Sequence, residues 1–220
     1  MTKNLILVAG NIGAGKTSLA ERLGTKLGWH VAYESVADNP YLSDFYADMR
    51  AWSFHLQVFF LGHRARQHEA LCARPKSAIL DRSIYEDAHI FARALHELGN
   101  MADRDYQAYQ ALYSLVISKL PRPDLLVYIE ASVPTLRSRI TKRGRDMEAG
   151  ITAGYLELLR RYYDDWIGGF DLCPVLTVPG DDLDFVRYPE HLDIVAGRIQ
   201  AKLSGKEAVQ LTKPESTLAG

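Results

Sequence analysis

The sequence predicts an α/β protein in which a parallel five-stranded sheet is flanked by helices. Five short apolar segments alternate with longer stretches of helical periodicity. The first segment, 5–9, is apolar without interruption, as in a strand that is buried on both faces of a parallel sheet. A glycine-rich turn at 10–15 then leads into a helical pattern at 16–27, so the chain opens with a strand, a tight turn and a helix.

The remaining elements continue this alternation and indicate one domain over 1–203. Further strands are predicted at 29–34, 78–81, 125–130 and 174–178, and further helices at 43–73, 84–98, 103–120, 133–143, 153–167 and 189–203. The glycine-rich, charged stretch near 144–152 extends a basic helix end, so a lid is predicted at about 139–152. The segment 204–220 loses periodicity and gains Pro, Ser, Thr and Gly, and is predicted to be disordered.

Composition excludes several classes of protein. The 220 residues carry 26 Lys and Arg against 27 Asp and Glu, a net charge of −1, whereas nucleic-acid binders need clustered surplus cations. The two cysteines, Cys72 and Cys173, stand far apart and in no metal-binding spacing, which argues against a disulfide framework or a structural zinc site. No apolar stretch is long enough to span a membrane or act as an export signal. We therefore expect a cytoplasmic protein without nucleic-acid or membrane partners.

The turn after the first strand fits the phosphate-binding pattern G-x-x-x-x-G-K-[ST]. It follows a predicted strand and opens a predicted helix, which is the context that the pattern requires. Glycines let successive backbone N–H groups surround phosphate oxygens, and the helix N-terminus adds partial positive charge. Lys16 would neutralise the β- and γ-phosphates of ATP, and the Thr17 hydroxyl would bind Mg²⁺. The predicted ATP-binding residues here are Gly10, Asn11, Ile12, Gly13, Ala14, Gly15, Lys16, Thr17 and Ser18.

Acidic and basic side chains follow the next two strands. Glu34 ends the second predicted strand, and Asp81-Arg82-Ser83 ends the third. Ligands of open parallel sheets bind beyond the carboxyl ends of the strands, so we expect these groups near the phosphate-binding loop. Glu34 could take a proton from an attacking hydroxyl, Arg82 could stabilise the transferring phosphoryl group, and Asp81 could bind Mg²⁺. Without the loop, Glu34 would be as readily a cap or an ion-pair partner.

Arginines cluster at the predicted lid. Arg139 and Arg143 lie four residues apart on one helix face, and Arg145 follows across Gly144. A solvated helix end would explain such a cluster. The Arg-Gly-Arg-Asp break favours a lid that closes over the triphosphate, with these arginines as ATP ligands.

Five segments in order resemble the deoxyribonucleoside kinase family, over about 5–203. They are GNIGAGKTS, Glu34-x-Val36 with Asn39-Pro40-Tyr41-Leu42, WSFHLQ, DRSIYED and RITKRGRDMEAGI. The third and fourth segments end at Gln57 and Asp87. Asp81 followed by Arg82-Ser83 is most similar to the bacterial deoxyadenosine and deoxyguanosine kinases, since animal members usually have Glu there. Met147 departs from the charged residue of many relatives.

The resemblance implies a P-loop kinase fold and a role for each matching residue. Glu34 would activate the 5′-hydroxyl of a deoxyribonucleoside, and Arg82 would steady both Glu34 and the phosphoryl group. Tyr46 and Glu148 would bind the sugar 3′-hydroxyl. The base would meet Gln57 at its edge, the Arg64–Asp87 pair on its other side, Phe91 by stacking and Ile12 at the pocket wall. Asp184 and Phe185 would hold the adenine of ATP.

Several alternatives stay open. The polar residues of the base pocket could form an ordinary network between helices, and adenine, guanine and cytosine all offer groups to an Arg and an Asp. We expect transfer of the ATP γ-phosphate to deoxyadenosine. The rivals are deoxyguanosine or deoxycytidine as main substrate, a thymidylate-type nucleoside monophosphate kinase, and a P-loop switch or ATPase. The family also implies a homodimer, assembled through the helices near 52–66 and 106–120.

Overall fold

The computed structural model describes residues 3–33, 39–145, 148 and 150–205. Its centre is a parallel sheet of five strands in the order β2-β3-β1-β4-β5. The strands are β1 (Leu5–Gly10), β2 (His30–Ala32), β3 (Ala78–Asp81), β4 (Leu125–Glu130) and β5 (Val175–Pro179). The predicted fold class is confirmed, although β1 and β5 each end one residue later than predicted and β2 is shorter than the predicted strand.

Apolar side chains cover both faces of the sheet, because helices pack on each side. Residues of β1 alternate between two apolar clusters, Leu5 and Leu7 facing one and Ile6 and Val8 the other. This two-sided burial explains the uninterrupted apolar run of β1. In the sheet register Val8 pairs with Asp81, and Gly10 pairs with Ile129, so the carboxyl ends of the central strands meet at one edge. Asp81, the candidate functional residue at the end of β3, therefore lies at the edge of the sheet where the phosphate-binding loop follows β1.

The helices agree with the predicted pattern apart from four boundaries, which differ by one to three residues, and one break. They are α1 (Lys16–Leu27), α2 (Leu42–Ala47), α3 (Met49–Ala73), α4 (Ile84–Glu86), a π-helix (Asp87–Ala92), α5 (Arg93–Glu97), α6 (Asp103–Ile117), α7 (Val133–Arg143), α8 (Ala153–Gly168) and α9 (Pro189–Leu203). The single helix predicted over 43–73 is wrong, since Asp48 is extended (φ −149°, ψ 90°) and caps α3 by accepting from the Ala51 N–H at 3.0 Å. Compared with prediction, α6 ends three residues earlier and α8 one residue later.

One wide helical turn interrupts the segment predicted as a regular helix over 84–98. The backbone passes from α4 through the π-helix into α5 without leaving helical conformation. Single π-helical turns are rare and occur frequently at functional sites. This one carries Asp87 and Phe91, two of the residues expected to contact the base.

The described residues contain no helix that is long and apolar enough to cross a membrane. Both cysteines are unpaired. Burial raises the pKa of the Cys173 thiol to about 12 and also raises that of Cys72, so neither is a reactive thiolate at neutral pH.

Candidate active site

The phosphate-binding loop needs glycine at three positions. Gly10, Gly13 and Gly15 have φ values of +151°, +84° and +97°, a region that side chains rarely adopt. A Cβ on Gly13 would also lie 2.9 Å from the Leu136 carbonyl oxygen and from the Ile140 side chain. The loop is therefore pressed against α7, and only glycine permits both its conformation and this contact.

Two buried polar side chains hold the loop in shape. Lys16 Nζ donates to the carbonyl oxygens of Gly10 at 2.7 Å and Asn11 at 3.0 Å. Asn11 Nδ2 donates to the Leu156 carbonyl of α8 at 2.9 Å, while its Oδ1 accepts from the Ile12 N–H at 2.8 Å. These bonds preorganise the backbone N–H groups and keep the Lys16 ammonium at the mouth of the loop, where phosphate oxygens would bind.

The Asp81 carboxylate lies beside Thr17 of the loop, in a position that suits a hard cation. Asp81 Oδ2 accepts from the Thr17 hydroxyl at 2.5 Å, and Asp81 is only 2% exposed. Its other oxygen, Oδ1, is buried and has no hydrogen-bond partner in the described part of the protein. Mg²⁺ prefers one or two carboxylate or hydroxyl ligands together with substrate phosphates. The pair of Thr17 and Asp81 fits that requirement, whereas no group of three or more His, Cys, Asp and Glu among the described residues could hold a metal alone.

Arg82 follows β3 in a conformation that is unusual for a residue with a side chain. Its φ of +69° is the one positive value among the described residues other than glycine. Its N–H donates to the Val8 carbonyl oxygen at 3.1 Å, and its guanidinium carbon lies 4.3 Å from the centre of the Phe91 ring. This turn aims the Arg82 side chain into the same space that the phosphate-binding loop borders.

A cleft of about 570 Å³ joins the phosphate-binding loop to a pocket between α2, α3 and the π-helix. Its volume is that of a small-molecule site. It brings together most of the residues that the sequence predicted to bind ATP or nucleoside: Ile12, Gly13, Gly15, Lys16, Thr17, Ser18, Tyr46, Gln57, Arg82, Asp87, Phe91, Arg143, Arg145 and Glu148. Phosphate-binding and nucleoside-binding groups thus share one space.

Buried polar groups line the pocket or lie directly behind its lining residues. Arg64 Nε donates to Asp87 Oδ2 at 3.0 Å, and both side chains are almost fully buried. Gln57 is 3% exposed and lines the cleft, yet its carbonyl Oε1 has no hydrogen-bond partner among the described residues. A buried acceptor without a partner costs free energy unless a ligand supplies a donor. The edge of a nucleobase supplies such donors.

The predicted lid residues divide into two groups. Arg143 forms a bidentate pair with Glu148, in which Nε donates to Oε2 at 3.1 Å and Nη2 donates to Oε1, and Arg145 Nη1 lies 3.7 Å from Glu148 Oε1. Arg139 instead donates to the carbonyl oxygens of Ala14 at 2.9 Å and Gly180 at 2.6 Å. Arg143, Arg145 and Glu148 therefore line the cleft, whereas Arg139 ties the phosphate-binding loop to the segment after β5.

The predicted adenine-binding residues Asp184 and Phe185 also lie away from the cleft. Phe185 is buried 3.4 Å from the position that a Gly15 Cβ would take, and Asp184 caps its own turn by accepting from the N–H groups of Val186 and Arg187. These hydrogen bonds lower the pKa of the Asp184 carboxyl. Glu34, like Met147 in the lid, lies outside the residues that the structure describes. Its role stays a prediction.

Glu86, to which no sequence motif gave a role, is a buried acid that contacts the phosphate-binding loop. This side chain is 0% exposed, and its Oε1 accepts from the Gly10 N–H at 3.2 Å and lies 2.7 Å from the Tyr163 hydroxyl. Burial raises the pKa of Glu86, more than the charges of Arg82 and Lys16 lower it. The sequence did hold a signal, because Ser83-Ile84-Tyr85-Glu86 has the spacing of a helix capping box, which the structure contains.

Known proteins match this chain along most of its length. The family model for deoxynucleoside kinases matches residues 6–203. A deoxyadenosine/deoxycytidine kinase of Bacillus subtilis is 36% identical over 198 residues, which cover 89% of this chain and 91% of the relative. A deoxyguanosine kinase of Lactobacillus johnsonii is 39% identical over 208 residues, covering 90% and 92%. The solved structure of a deoxyadenosine kinase from M. mycoides with bound dATP superimposes with a TM-score of 0.78 at 28% identity, covering 89% of this chain and 99% of that one.

Proposed function

The chain belongs to the deoxynucleoside kinase family, and we propose that it transfers the γ-phosphate of ATP to the 5′-hydroxyl of deoxyadenosine. The observation that carries this proposal is the shared cleft, in which the phosphate-binding loop faces a pocket lined by the buried polar residues Gln57 and Asp87. Deoxyguanosine or deoxycytidine as main substrate is the alternative. Relatives of similar identity are named for deoxyadenosine, deoxycytidine and deoxyguanosine.

The donor side of the reaction follows from the loop. Its backbone N–H groups and Lys16 would bind the β- and γ-phosphates, and Arg82 would face the transferring phosphoryl group from the pocket side. Thr17 and Asp81 would hold Mg²⁺, for which the unpartnered, buried Asp81 Oδ1 is the supporting observation. When bound, Mg²⁺ neutralises charge on the phosphate oxygens. Arg143 and Arg145 would reach the triphosphate from the lid side of the cleft.

On the acceptor side, Gln57 suits the base of deoxyadenosine. A carboxamide has an NH₂ donor and a carbonyl acceptor side by side, and adenine presents a ring nitrogen acceptor beside its amino donor, as cytosine also does. The buried Gln57 Oε1 would accept from that amino group. The Arg64–Asp87 pair would bind the far edge of the base, and the Phe91 ring would stack on it. Tyr46 and Glu148, both in the cleft, would bind the sugar 3′-hydroxyl.

The direct test of the proposed chemistry is Glu34→Gln. This change removes the proton acceptor and little volume, so we expect kcat to fall by about 10²- to 10⁴-fold while ATP affinity stays unchanged. Steady-state rates and ATP titration measure the two effects. The control is Glu130→Gln, which alters an exposed carboxylate at the end of β4. Near-normal turnover of Glu34→Gln would exclude Glu34 as the base.

Two other P-loop functions can be distinguished from the proposed one by the molecule that accepts the phosphate. A thymidylate-type monophosphate kinase needs extra cations for the phosphate of its acceptor, usually including an arginine before the carboxylate of the second strand, where this chain has Tyr33. Such an enzyme would phosphorylate dAMP and leave deoxyadenosine unchanged. A switch or ATPase would hydrolyse ATP at a rate that deoxynucleosides do not alter. Our proposal requires phosphorylation of deoxyadenosine and little ATP hydrolysis without it.

We also propose a homodimer formed through α3 and α6. Leu112 and Leu115 on α6 are 42% and 62% exposed, which gives this helix an apolar outer surface that a second copy could cover. Sedimentation at micromolar concentration should give the mass of two chains, and Leu115→Glu should shift it toward one. A wild-type protein that sediments as one chain contradicts the dimer. The expectation of a cytoplasmic location stays a prediction.

A further inference from the structure

Glu86 connects three parts of the site through one carboxyl group. Its Oε1 accepts from the N–H of Gly10, the first glycine of the phosphate-binding loop, at 3.2 Å. Its Oε2 accepts at 3.1 Å from the N–H of Ser83, which is the residue after Arg82. The Tyr163 hydroxyl of α8 lies 2.7 Å from Oε1 and 2.8 Å from the Gly10 carbonyl oxygen. Glu86 thus holds the loop and the Arg82 turn at a fixed separation.

A helix cap alone does not account for these contacts. The capping box between Ser83 and Glu86 needs one carboxylate oxygen at the Ser83 N–H and is satisfied at a surface. Here the acid is fully buried, which costs free energy, and its second oxygen reaches a backbone group 76 residues away in sequence. The Arg82 turn that it supports is itself in a conformation that L residues avoid. These two energetically costly features lie between the phosphate-binding loop and Arg82, which must be aligned for phosphoryl transfer.

The hydrogen atoms around Glu86 favour a neutral carboxyl group. The Tyr163 hydroxyl has one proton but two acceptors within hydrogen-bond distance, Gly10 O and Glu86 Oε1. A proton on Glu86 resolves this, because Glu86 then donates to the Tyr163 oxygen while Tyr163 donates to Gly10 O. The titratable groups that face Glu86 are Arg82, Lys16, Tyr163 and Tyr128. Burial raises the pKa of Glu86, in agreement with the proton count.

We propose that Glu86 is a positioning residue for phosphoryl transfer, which acts by fixing the phosphate-binding loop relative to Arg82. It touches neither base nor sugar pocket through the contacts above, and it therefore affects alignment in the transition state more than nucleoside binding. This inference rests on the proposed function, since it assumes that Arg82 faces the transferring phosphoryl group.

The test compares Glu86→Ala, Glu86→Gln and Tyr163→Phe in the full chain. Misplacing reacting groups by about an ångström costs up to about a hundredfold, so we expect Glu86→Ala to lower kcat by about tenfold to a hundredfold. The calorimetric Kd for deoxyadenosine should stay within about twofold. The kcat of Glu86→Gln should lie between those of Glu86→Ala and wild type. The amide oxygen can still accept from the Ser83 N–H, but the amide NH₂ cannot accept from the Gly10 N–H. If Glu86→Ala does not fold, Glu86→Gln, which changes no volume, carries the test.

A second hydrogen-bonded Glu–Tyr pair, Glu97 and Tyr162, provides a matched control. Glu97 accepts from the Tyr162 hydroxyl but is about half exposed, and this hydrogen bond lowers its pKa. Glu97→Gln makes the same chemical change outside the loop, and kcat should stay near wild type. A residue that only stabilised the fold would lower the Tm without changing kcat per folded molecule, measured well below the Tm.

The double variant Glu86→Gln with Tyr163→Phe should lose less kcat than the product of the two single losses, because both residues contact Gly10. The proposal is overturned if folded Glu86→Gln and Glu86→Ala keep kcat within about twofold of wild type, or if their kcat loss is matched by an equal loss of deoxyadenosine binding. A wild-type protein that fails to phosphorylate any deoxynucleoside in the same assay contradicts the proposed function instead.

Discussion

Two buried side-chain oxygen atoms mark positions where a bound ligand or cation could supply a partner. Gln57 Oε1 and Asp81 Oδ1 have no hydrogen-bond partner in the part of the chain that the structure describes, although each residue is almost fully buried. Native proteins rarely leave such atoms unsatisfied without a ligand or functional reason. One oxygen faces the base pocket and the other lies beside Thr17 of the phosphate-binding loop. Gln57 Oε1 therefore marks the place proposed for the nucleobase, and Asp81 Oδ1 marks the place proposed for Mg²⁺ and the ATP phosphates.

At the level of single residues, Gln57→Leu should weaken nucleoside binding. The change removes the amide and keeps most of the volume, so the base loses its partner while the pocket stays filled. A lost hydrogen bond to a buried polar group costs about 1–3 kcal/mol, and the KM for deoxyadenosine should rise by about tenfold to a hundredfold. The KM for ATP should stay unchanged. Gln200→Leu, on the exposed surface of α9, is the control. An unchanged KM for deoxyadenosine would contradict the role of Gln57.

Asp81→Asn should weaken Mg²⁺ binding. The amide keeps a partner for the Thr17 hydroxyl but loses the negative charge that a hard cation needs. The Mg²⁺ concentration for half-maximal rate should rise by at least about tenfold, the lower end of effects seen when groups around a metal are altered. Rate measurements across a Mg²⁺ titration check this, with the exposed Asp182→Asn as control. An identical Mg²⁺ profile would remove Asp81 from the metal site.

At the level of elements, apolar periodicity predicted the helices and strands well, since burial on the sheet decides those patterns. The boundaries of α1, β3, β4, α7 and α9 agree with prediction. The break at Asp48 and the π-helix were not predictable in this way. Asp48 ends one helix and caps the next without glycine or proline, and the π-helix has the same apolar pattern as an α-helix. The Asp48 cap is a local hydrogen bond that apolar periodicity does not report.

Gly13→Ala should disrupt the contact between the phosphate-binding loop and α7. An added Cβ would lie 2.9 Å from the Leu136 carbonyl oxygen, and the backbone has a left-handed φ. We expect kcat to fall by at least about tenfold, because the loop must shift. Gly28→Ala is a matched control, since Gly28 has a φ of +68° but nothing within 4 Å of its Cβ position. Equal effects of both changes on kcat would show that backbone strain alone is responsible.

At the level of the whole molecule, contacts between distant segments assemble the site. Arg139 joins the phosphate-binding loop to the segment after β5, and Glu86 joins it to the Arg82 turn. The sequence resemblance predicted many of the residues that share the cleft, including Gln57, Asp87 and Phe91. It could not predict the carbonyl contacts of Arg139 or the buried bonds of Glu86, because these depend on how separate elements pack. Positions after parallel strands were predictable because their carboxyl ends share an edge.

Stability of the whole protein should fall as the pH decreases below about 6.5. Burial lowers the pKa of His68 and His89, which bind the Pro121 carbonyl and the Tyr113 hydroxyl at 2.8 and 3.1 Å. Their contribution is complete above the unfolded value and is lost as the pH falls toward the folded value, because the unfolded chain then binds more protons. Each histidine contributes a slope of up to about 1.4 kcal/mol per pH unit.

Urea unfolding at pH 7.5 and 5.5 measures this difference in the free energy of unfolding. His68→Gln and His89→Gln should each reduce the difference, whereas His55→Gln, which changes an exposed residue, should leave it unaltered. Stability that is equal at the two pH values would contradict the account of the buried histidines.

The most direct measurement of the central claim is a competition among acceptors. ATP and Mg²⁺ are supplied with equal concentrations of the four natural deoxynucleosides, and in a parallel reaction with dAMP, and the products are separated and quantified. We expect one ADP for each deoxynucleoside 5′-monophosphate, with the monophosphate of deoxyadenosine formed fastest and dAMP left unchanged. Phosphate transferred to dAMP alone, or ADP formed at the same rate without any acceptor, would contradict a cleft built to join a nucleoside to a triphosphate.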